Sequence, residues 1–224
     1  MTLPKPYYRD ERAGITIFLG DCRDILPHLE PVDLVVTDPP YGVSLNTNYK
    51  ASQRGPLAGA NDYPAIHGDN APFDPAFLLN YKNIVLWGAN YYASRLPDAG
   101  AWLVWDKREG SGYNDQADCE LAWTKGKKGT VPRSFPHRWN GMIKASEQDE
   151  RRCHPTQKPV ALMKWCISFY DSPNTILDPF MGSGTTLRAA KDFGHKAIGI
   201  EIEERYCEIA AKRLGQEVLP LEFK

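Results

Sequence analysis

The chain has 224 residues, 42% of them hydrophobic, and a formal charge of −1. This suits one domain with a sizeable core, and it excludes a histone-like or polybasic binder while leaving room for a local basic face. Five scattered cysteines without a C-x-x-C pair argue against a disulfide framework or zinc site, and residues 1–12 lack the apolar core of a signal peptide. A soluble cytoplasmic protein is expected, with no membrane-spanning run and no metal-ligand cluster.

Short apolar runs alternate with amphipathic stretches, the pattern of a largely parallel sheet covered by helices. In chain order the spacing predicts strand 15–19, helix 22–29, strand 33–37, helix 75–81, strand 83–87, helix 89–96 and strand 101–105. Strand 119–124, helix 160–170, strand 175–177, helix 185–193, strand 196–200 and helix 203–214 follow. Strand 119–124 comes after its neighbour without a helix, so it is expected to run antiparallel. Gly194 and Gly215 sit where helix C-caps belong.

Two stretches break the alternation. Residues 42–70 are polar and rich in Gly, Asn, Ala and Pro, which reads as a functional lid or mobile loop. Residues 125–152 carry Lys125, Lys127, Lys128, Arg133, Arg138, Lys144, Arg151 and Arg152 against three acids, with Phe135, His137 and Trp139 interleaved. That segment is either a solvated surface or a phosphate-contacting insert, and the second reading is preferred.

The distinctive polar residues fall just past the carboxyl ends of predicted strands: Asp21, Asp38, Asn90, Asp178 and Glu201. Open α/β sheets bind ligands there. Asp38-Pro39-Pro40-Tyr41 puts a carboxylate, a rigid turn and an aromatic ring at one strand end, a grip for a planar amine. Asp178-Pro179-Phe180-Met181-Gly182-Ser183-Gly184-Thr185 joins a strand to a helix. No Lys follows its glycines and no third glycine completes a dinucleotide fingerprint, so neither a P-loop nor a nicotinamide site is indicated. Glu201, ending the next strand, can accept hydrogen bonds from both hydroxyls of a ribose.

Together these residues resemble the amino-group DNA methyltransferases of the beta class, compact phage or prophage type, which act on N6 of adenine or N4 of cytosine. His154-Pro155-Thr156-Gln157-Lys158-Pro159 is similar to the segment that precedes their cofactor loop. The catalytic motif comes first and the cofactor loop last, a circularly permuted order. The implied fold is α/β and Rossmann-like, a mostly parallel seven-stranded sheet with one antiparallel strand, forming a single domain over 1–224 with a short recognition insert at 108–152.

The resemblance implies S-adenosylmethionine as cofactor and double-stranded DNA as partner, in a bacterial or phage-infected cell, at the nucleoid. A homodimer and a companion restriction endonuclease are both compatible with it, and the residues specify neither. Asp38 and Pro39 would hold the amine, Pro40 would set the turn and Tyr41 would stack the flipped base. Asp178 would hold the methionine amino group, with Phe180, Gly182 and Gly184 around it and Ser183 and Thr185 at its carboxylate. Glu201 would hold the ribose, and Ile202 would contact the adenine. Asp21 with Cys22 would meet the adenine's polar edge, unless Asp21 merely caps the helix behind it. Thr156, Gln157 and Lys158 would close the methionine end. Lys125, Lys127, Lys128, Arg133, Arg138 and Trp139 are the candidate DNA contacts. Adenine N6 is the expected target and cytosine N4 the alternative; a non-catalytic nucleic-acid-binding module is the competing class.

Overall fold

The computed structural model describes residues 3–47, 63–110, 117–127, 129–140, 143–148, 150 and 152–215. The centre of the expected 42–70 loop and parts of the 108–152 insert lie outside them, as does Lys128.

All seven expected strands form: β2 (Ile15–Leu19), β3 (Leu34–Thr37), β4 (Ile84–Trp87), β5 (Trp102–Asp106), β6 (Cys119–Lys125), β10 (Thr175–Asp178) and β11 (Lys196–Glu201). The sheet is nine-stranded rather than seven-stranded, because β1 (Tyr8–Asp10) and β7 (Arg133–Pro136) extend its two edges. These edge strands are short and partly exposed, so they carry little of the hydrophobic patterning that reveals a buried strand. The order is β1-β2-β11-β10-β3-β4-β6-β5-β7. β6 runs antiparallel to both neighbours, as expected, and β1 is a second antiparallel strand. A separate two-stranded ribbon pairs β8 (Trp139–Asn140) with β9 (Ile143–Lys144).

Alternation along the strands sends side chains to two cores. Leu34, Val36, Val85 and Trp87 face the layer of α2 (Val160–Ile167), α3 (Thr185–Asp192) and α4 (Glu204–Gly215). Val35, Ile84, Leu86 and Leu177 face a thinner layer containing Phe73, Leu78 and Tyr92. Helix α1 (Cys22–Ile25) on that side is short, since Pro27 has no N–H to continue the ladder and the chain passes into a 3₁₀ turn at Leu26–His28.

The helices expected at 75–81 and 89–96 are instead 3₁₀ turns, Ala76–Leu78, Ala89–Tyr91 and Ala93–Arg95. Paired aromatics and Asn in the second segment are weak helix formers, and packing of Phe73, Leu78 and Tyr92 is satisfied by single turns. Gly194, at φ 74°, closes α3 as expected, and its N–H bonds Lys191 O at 3.0 Å. Gly215 is the last residue of α4.

From β3 the chain proceeds to β4 on one side, and from β10 to β11 on the other. The switch point therefore lies between the carboxyl ends of β3 and β10, which is where ligands bind in such sheets. Asp38 follows β3 and Asp178 ends β10.

Candidate active site

Thr37 and Asp178 join the two strand ends, Thr37 Oγ1 donating to Asp178 Oδ1 at 2.6 Å, and Phe180 N donates to the same oxygen at 3.1 Å. Burial raises the Asp178 carboxyl to about 6; hydrogen bonds from Thr186, Thr37 and Phe180 N oppose that rise, and the nearby Asp38 charge adds to it. The cleft above has a volume of about 850 Å³ and is lined by both halves of the expected site.

In the first half, Asp38 Oδ1 accepts a hydrogen bond from the Tyr41 hydroxyl, and Asp38 Oδ2 is ion-paired with Lys158. Lys158 Nζ also lies 3.1 Å from Glu120 Oε2 and 3.3 Å from Tyr41 OH, and its side chain is only 6% exposed. Glu120 Oε1 in turn takes Lys107 Nζ at 2.7 Å. Burial raises the Asp38 carboxyl, the Lys158 ammonium pulls it back and Glu120 adds to the rise. Burial alone would raise Glu120 too, but the ammonium groups of Lys158 and Lys107 outweigh it and bring it to about 2. Burial opposes the charged Lys158, yet its two carboxylate partners hold its pKa above the usual value.

The turn after Tyr41 is fixed by buried Asp69, whose side chain accepts from the N–H groups of Tyr41 (3.1 Å), Gly42 (2.8 Å), Val43 (3.2 Å) and Leu45 (2.7 Å). Gly88 has φ +69°, and a Cβ there would stand 1.9 Å from Tyr41 Cε1, so only glycine admits the tyrosine ring. Tyr91, 53% exposed, stacks on Tyr41 with centroids 5.0 Å apart and an interplanar angle of 16°.

In the second half, Glu201 Oε2 accepts from Gly182 N at 3.0 Å and Oε1 from Glu203 N at 2.8 Å. A carboxylate has about four acceptor sites, so both oxygens retain capacity for a ligand. Burial raises this carboxyl to about 7 against the pull of those N–H groups. Phe180, Gly182, Ile202, Asp21 and Cys22 line the cleft beside it. Asp21 caps α1, its Oδ1 accepting from Arg23 N at 2.9 Å, and the residue also borders the cleft.

Several expected site residues lie elsewhere. Asp178, buried against Thr37, is not on the cleft lining, and neither are Ser183, Gly184 and Thr185. The side chains of Ser183 and Thr185 accept from Arg213 at 3.2 and 3.4 Å, and Gly184 gives α3 a close approach to α4, since a Cβ there would stand 2.8 Å from Ala210 Cβ. These three brace α3 on α4 instead of meeting a carboxylate. Thr156 and Gln157 do border the cleft, but their side chains make local bonds, Thr156 Oγ1 with His154 Nδ1 at 3.1 Å and Gln157 Oε1 from Cys153 N at 2.8 Å. Burial, helped by Lys158, Arg205 and Arg152, takes His154 down to about 3, so it is neutral.

The basic segment divides between the two ends of the sheet. Lys125 pairs with Ile84 at the amino end of β4, and its Nζ donates to Leu79 O at 2.7 Å. Arg133 pairs with Leu103 near the start of β5. Lys127 follows Lys125 and lies over the Phe169 ring at 4.7 Å. These residues are at the edge opposite the cleft, because β6 runs antiparallel and carries its last residues away from it. Arg138 and Trp139 follow β7 at the cleft end; Trp139 is buried and borders the cleft.

Sequence reasoning missed Glu120, Asp69, Gly88 and Tyr91. Glu120 did leave a signal, an acid near the start of an otherwise apolar strand. Among the described residues no group of three or more potential metal ligands occurs, and no helix is long and apolar enough to cross a membrane.

A carboxylate-Pro-Pro-Tyr turn thus faces the Glu201 half of one cleft across the switch point of an α/β sheet. The chain belongs to the DNA methylase family, whose N6_N4_Mtase model matches residues 80–212. That span holds Glu120, Lys158, Asp178 and Glu201. The type II methyltransferase M.HinfI of Haemophilus influenzae is 26% identical over 264 aligned residues, covering 93% of this chain and 73% of the relative. M.HpaI of Haemophilus parainfluenzae is 28% identical over 220, covering 83% and 69%. A solved complex of M1.HpyAVI with SAM has a TM-score of 0.54 at 25% identity, covering 90% of this chain and 100% of that one. The cytosine-N4-specific PvuII DNA methyltransferase superposes with a TM-score of 0.57 at 16% identity over 100% of this chain and 90% of that one, a likeness of fold alone.

Proposed function

We propose that the chain is a DNA methyltransferase that transfers a methyl group from S-adenosylmethionine to the N6 amine of an adenine turned out of double-stranded DNA. The observation that carries this reading is the position of the Asp38 carboxylate and Tyr41 ring at the switch point, across one cleft from Glu201, with buried Asp178 bonded to Thr37 between the two strand ends. The donor set fits the cofactor. Two buried carboxyls with raised pKa favour a cationic ligand with hydroxyls over a phosphate, and the cleft volume lies in the usual range for small-molecule sites.

Glu201 would hold the ribose hydroxyls, Asp178 the amino end and Ile202, 39% exposed, the adenine face. S-adenosylmethionine, when bound, supplies an electrophilic methyl group on sulfonium sulfur. An adenine amine is a poor nucleophile because its lone pair is delocalised into the ring. Asp38 and the Pro39 carbonyl would accept hydrogen bonds from its two N–H groups and favour the pyramidal form, while Tyr41 offers the flipped base a stacking surface; unstacking costs a few kcal/mol. Holding the nitrogen in line then supplies much of the acceleration.

Incubation with DNA and labelled S-adenosylmethionine, followed by nucleoside analysis, tests this directly. Label in N6-methyladenine is expected. Label in N4-methylcytosine would overturn the choice of base, and no label in any DNA would favour the non-catalytic module.

A further inference from the structure

Lys158 lies at the centre of a line of alternating charges: Asp38, Lys158, Glu120, Lys107. The four come from separate segments, the turn after β3, the approach to α2, the start of β6 and the end of β5. The line runs from the buried floor to Lys107, whose side chain is 24% exposed. Lys158 borders the cleft but spends its ammonium on Asp38 and Glu120, with Tyr41 OH as a third neighbour at 3.3 Å. Both Asp38 oxygens are engaged, one by an ammonium and one by a hydroxyl, and each keeps a second acceptor site, so an amine can reach Asp38 with Lys158 still in place.

We propose that Lys158, anchored by Glu120, is a positioning residue that keeps the Asp38 carboxylate charged and aimed, and that it stays on Asp38 when the substrate amine binds there. A neutral amine donor added at Asp38 leaves every charge paired. Displacing Lys158 would separate two buried charges, which is costly. This rests on the functional reading above only for the identity of the amine.

The charged and titratable groups facing Asp38 are Lys158 and Glu120, the Tyr41 and Tyr92 hydroxyls, and Asp178 across the switch point. Lys158 lowers the Asp38 pKa and Glu120 raises it, so the two substitutions should move its titration in opposite directions. We would titrate the Asp38 carboxyl by ¹³C NMR, assigned through Asp38→Asn, in wild type, Lys158→Met, Lys158→Arg and Glu120→Gln. S-adenosylmethionine binding would be measured by calorimetry on the same proteins, and single-turnover methylation against pH.

Lys158→Met should raise the Asp38 pKa by about one unit or more and move the acid limb of transfer upward with it. Its cofactor affinity should stay within about threefold of wild type, a change too small for the removal of a charged hydrogen bond to the cofactor. Glu120→Gln should move Asp38 and the limb downward, and Lys158→Arg should restore most of the shift. If Lys158→Met does not fold, the Glu120→Gln and Lys158→Arg titrations decide alone. Tenfold weaker cofactor binding in Lys158→Met with an unmoved Asp38 would make Lys158 a cofactor ligand and overturn the inference. Opposite NMR shifts in a protein that methylates no DNA would sink the functional reading and leave the positioning role standing; methylation with an Asp38 titration indifferent to both residues would do the reverse.

Discussion

Asp38 is the residue on which the first half of the cleft converges, because its oxygens meet both the Tyr41 hydroxyl and the Lys158 ammonium. Asp38→Ala should therefore reduce methyl transfer by at least about 10²–10⁴-fold while cofactor affinity, which the proposed function assigns to Glu201 and Asp178, changes little. Single-turnover assays beside calorimetry check this, and substantial residual turnover would remove Asp38 from the chemistry. The acids of the other half give a pH dependence with a definite sign. Burial raises Glu201 to about 7 and Asp178 to about 6, so as pH falls through these values they take up protons that a cationic, hydroxyl-bearing ligand needs removed. Cofactor affinity should fall as pH drops through 7, by up to about tenfold per unit below each pKa. The unliganded fold should respond oppositely. It holds more protons than the unfolded chain between the ordinary values of 3.8 and 4.5 and the raised ones, so this contribution to stability declines as pH rises across that window. Calorimetry and thermal melts from pH 5 to 8 test the two signs together; affinity flat across that range would free Glu201 from the ribose role.

At the scale of elements, the site depends on backbone that packs against side chains. Gly88, just after β4, leaves room for the Tyr41 ring, and any Cβ there would lie well inside contact distance. Gly88→Ala should cost about 1–3 kcal/mol in stability through the left-handed φ and the clash. The part due to the clash should vanish in a Tyr41→Ala background, leaving only the backbone strain. Denaturation of the four proteins of that double-mutant cycle measures the coupling, and additivity would mean the ring does not rest on Gly88. The same dependence explains what could be read in advance. Strands β3 and β10 have apolar centres, and an acid follows the first and ends the second, so their place at the cleft end was visible in the residue order. Ser183 and Thr185 were not separable from Gly182 by motif, because only the packing of α3 on α4 through Arg213 turns them from the cleft. Glu120 was hidden for a different reason. Its proximity to Lys158 follows from the reversed direction of β6, which places the second residue of that strand at the cleft edge, far along the chain from its partner.

For the whole molecule, the small net charge conceals a division of basic residues between the two ends of the sheet. Arg138, Lys144 and Arg152 stand at the cleft end, with Lys144 and Arg152 on its lining, whereas Lys125, Lys127 and Arg133 are at the far end. A duplex that delivers a base to Tyr41 must lie over the cleft mouth, so only the first group can reach its phosphates. Each phosphate that is no longer neutralised lowers the slope of log affinity against log salt by about 0.9. Lys144→Gln and Arg152→Gln should each reduce that slope by about one and weaken binding to any sequence alike. Lys125→Gln with Lys127→Gln should leave both slope and affinity within error, although these residues belong to the same basic run. Fluorescence anisotropy with one short duplex from about 50 to 300 mM salt separates the groups. A slope that falls for the far pair and not for the cleft pair would mean that the duplex binds across the amino ends of the strands, with the base reaching Asp38 by a route this cleft does not provide.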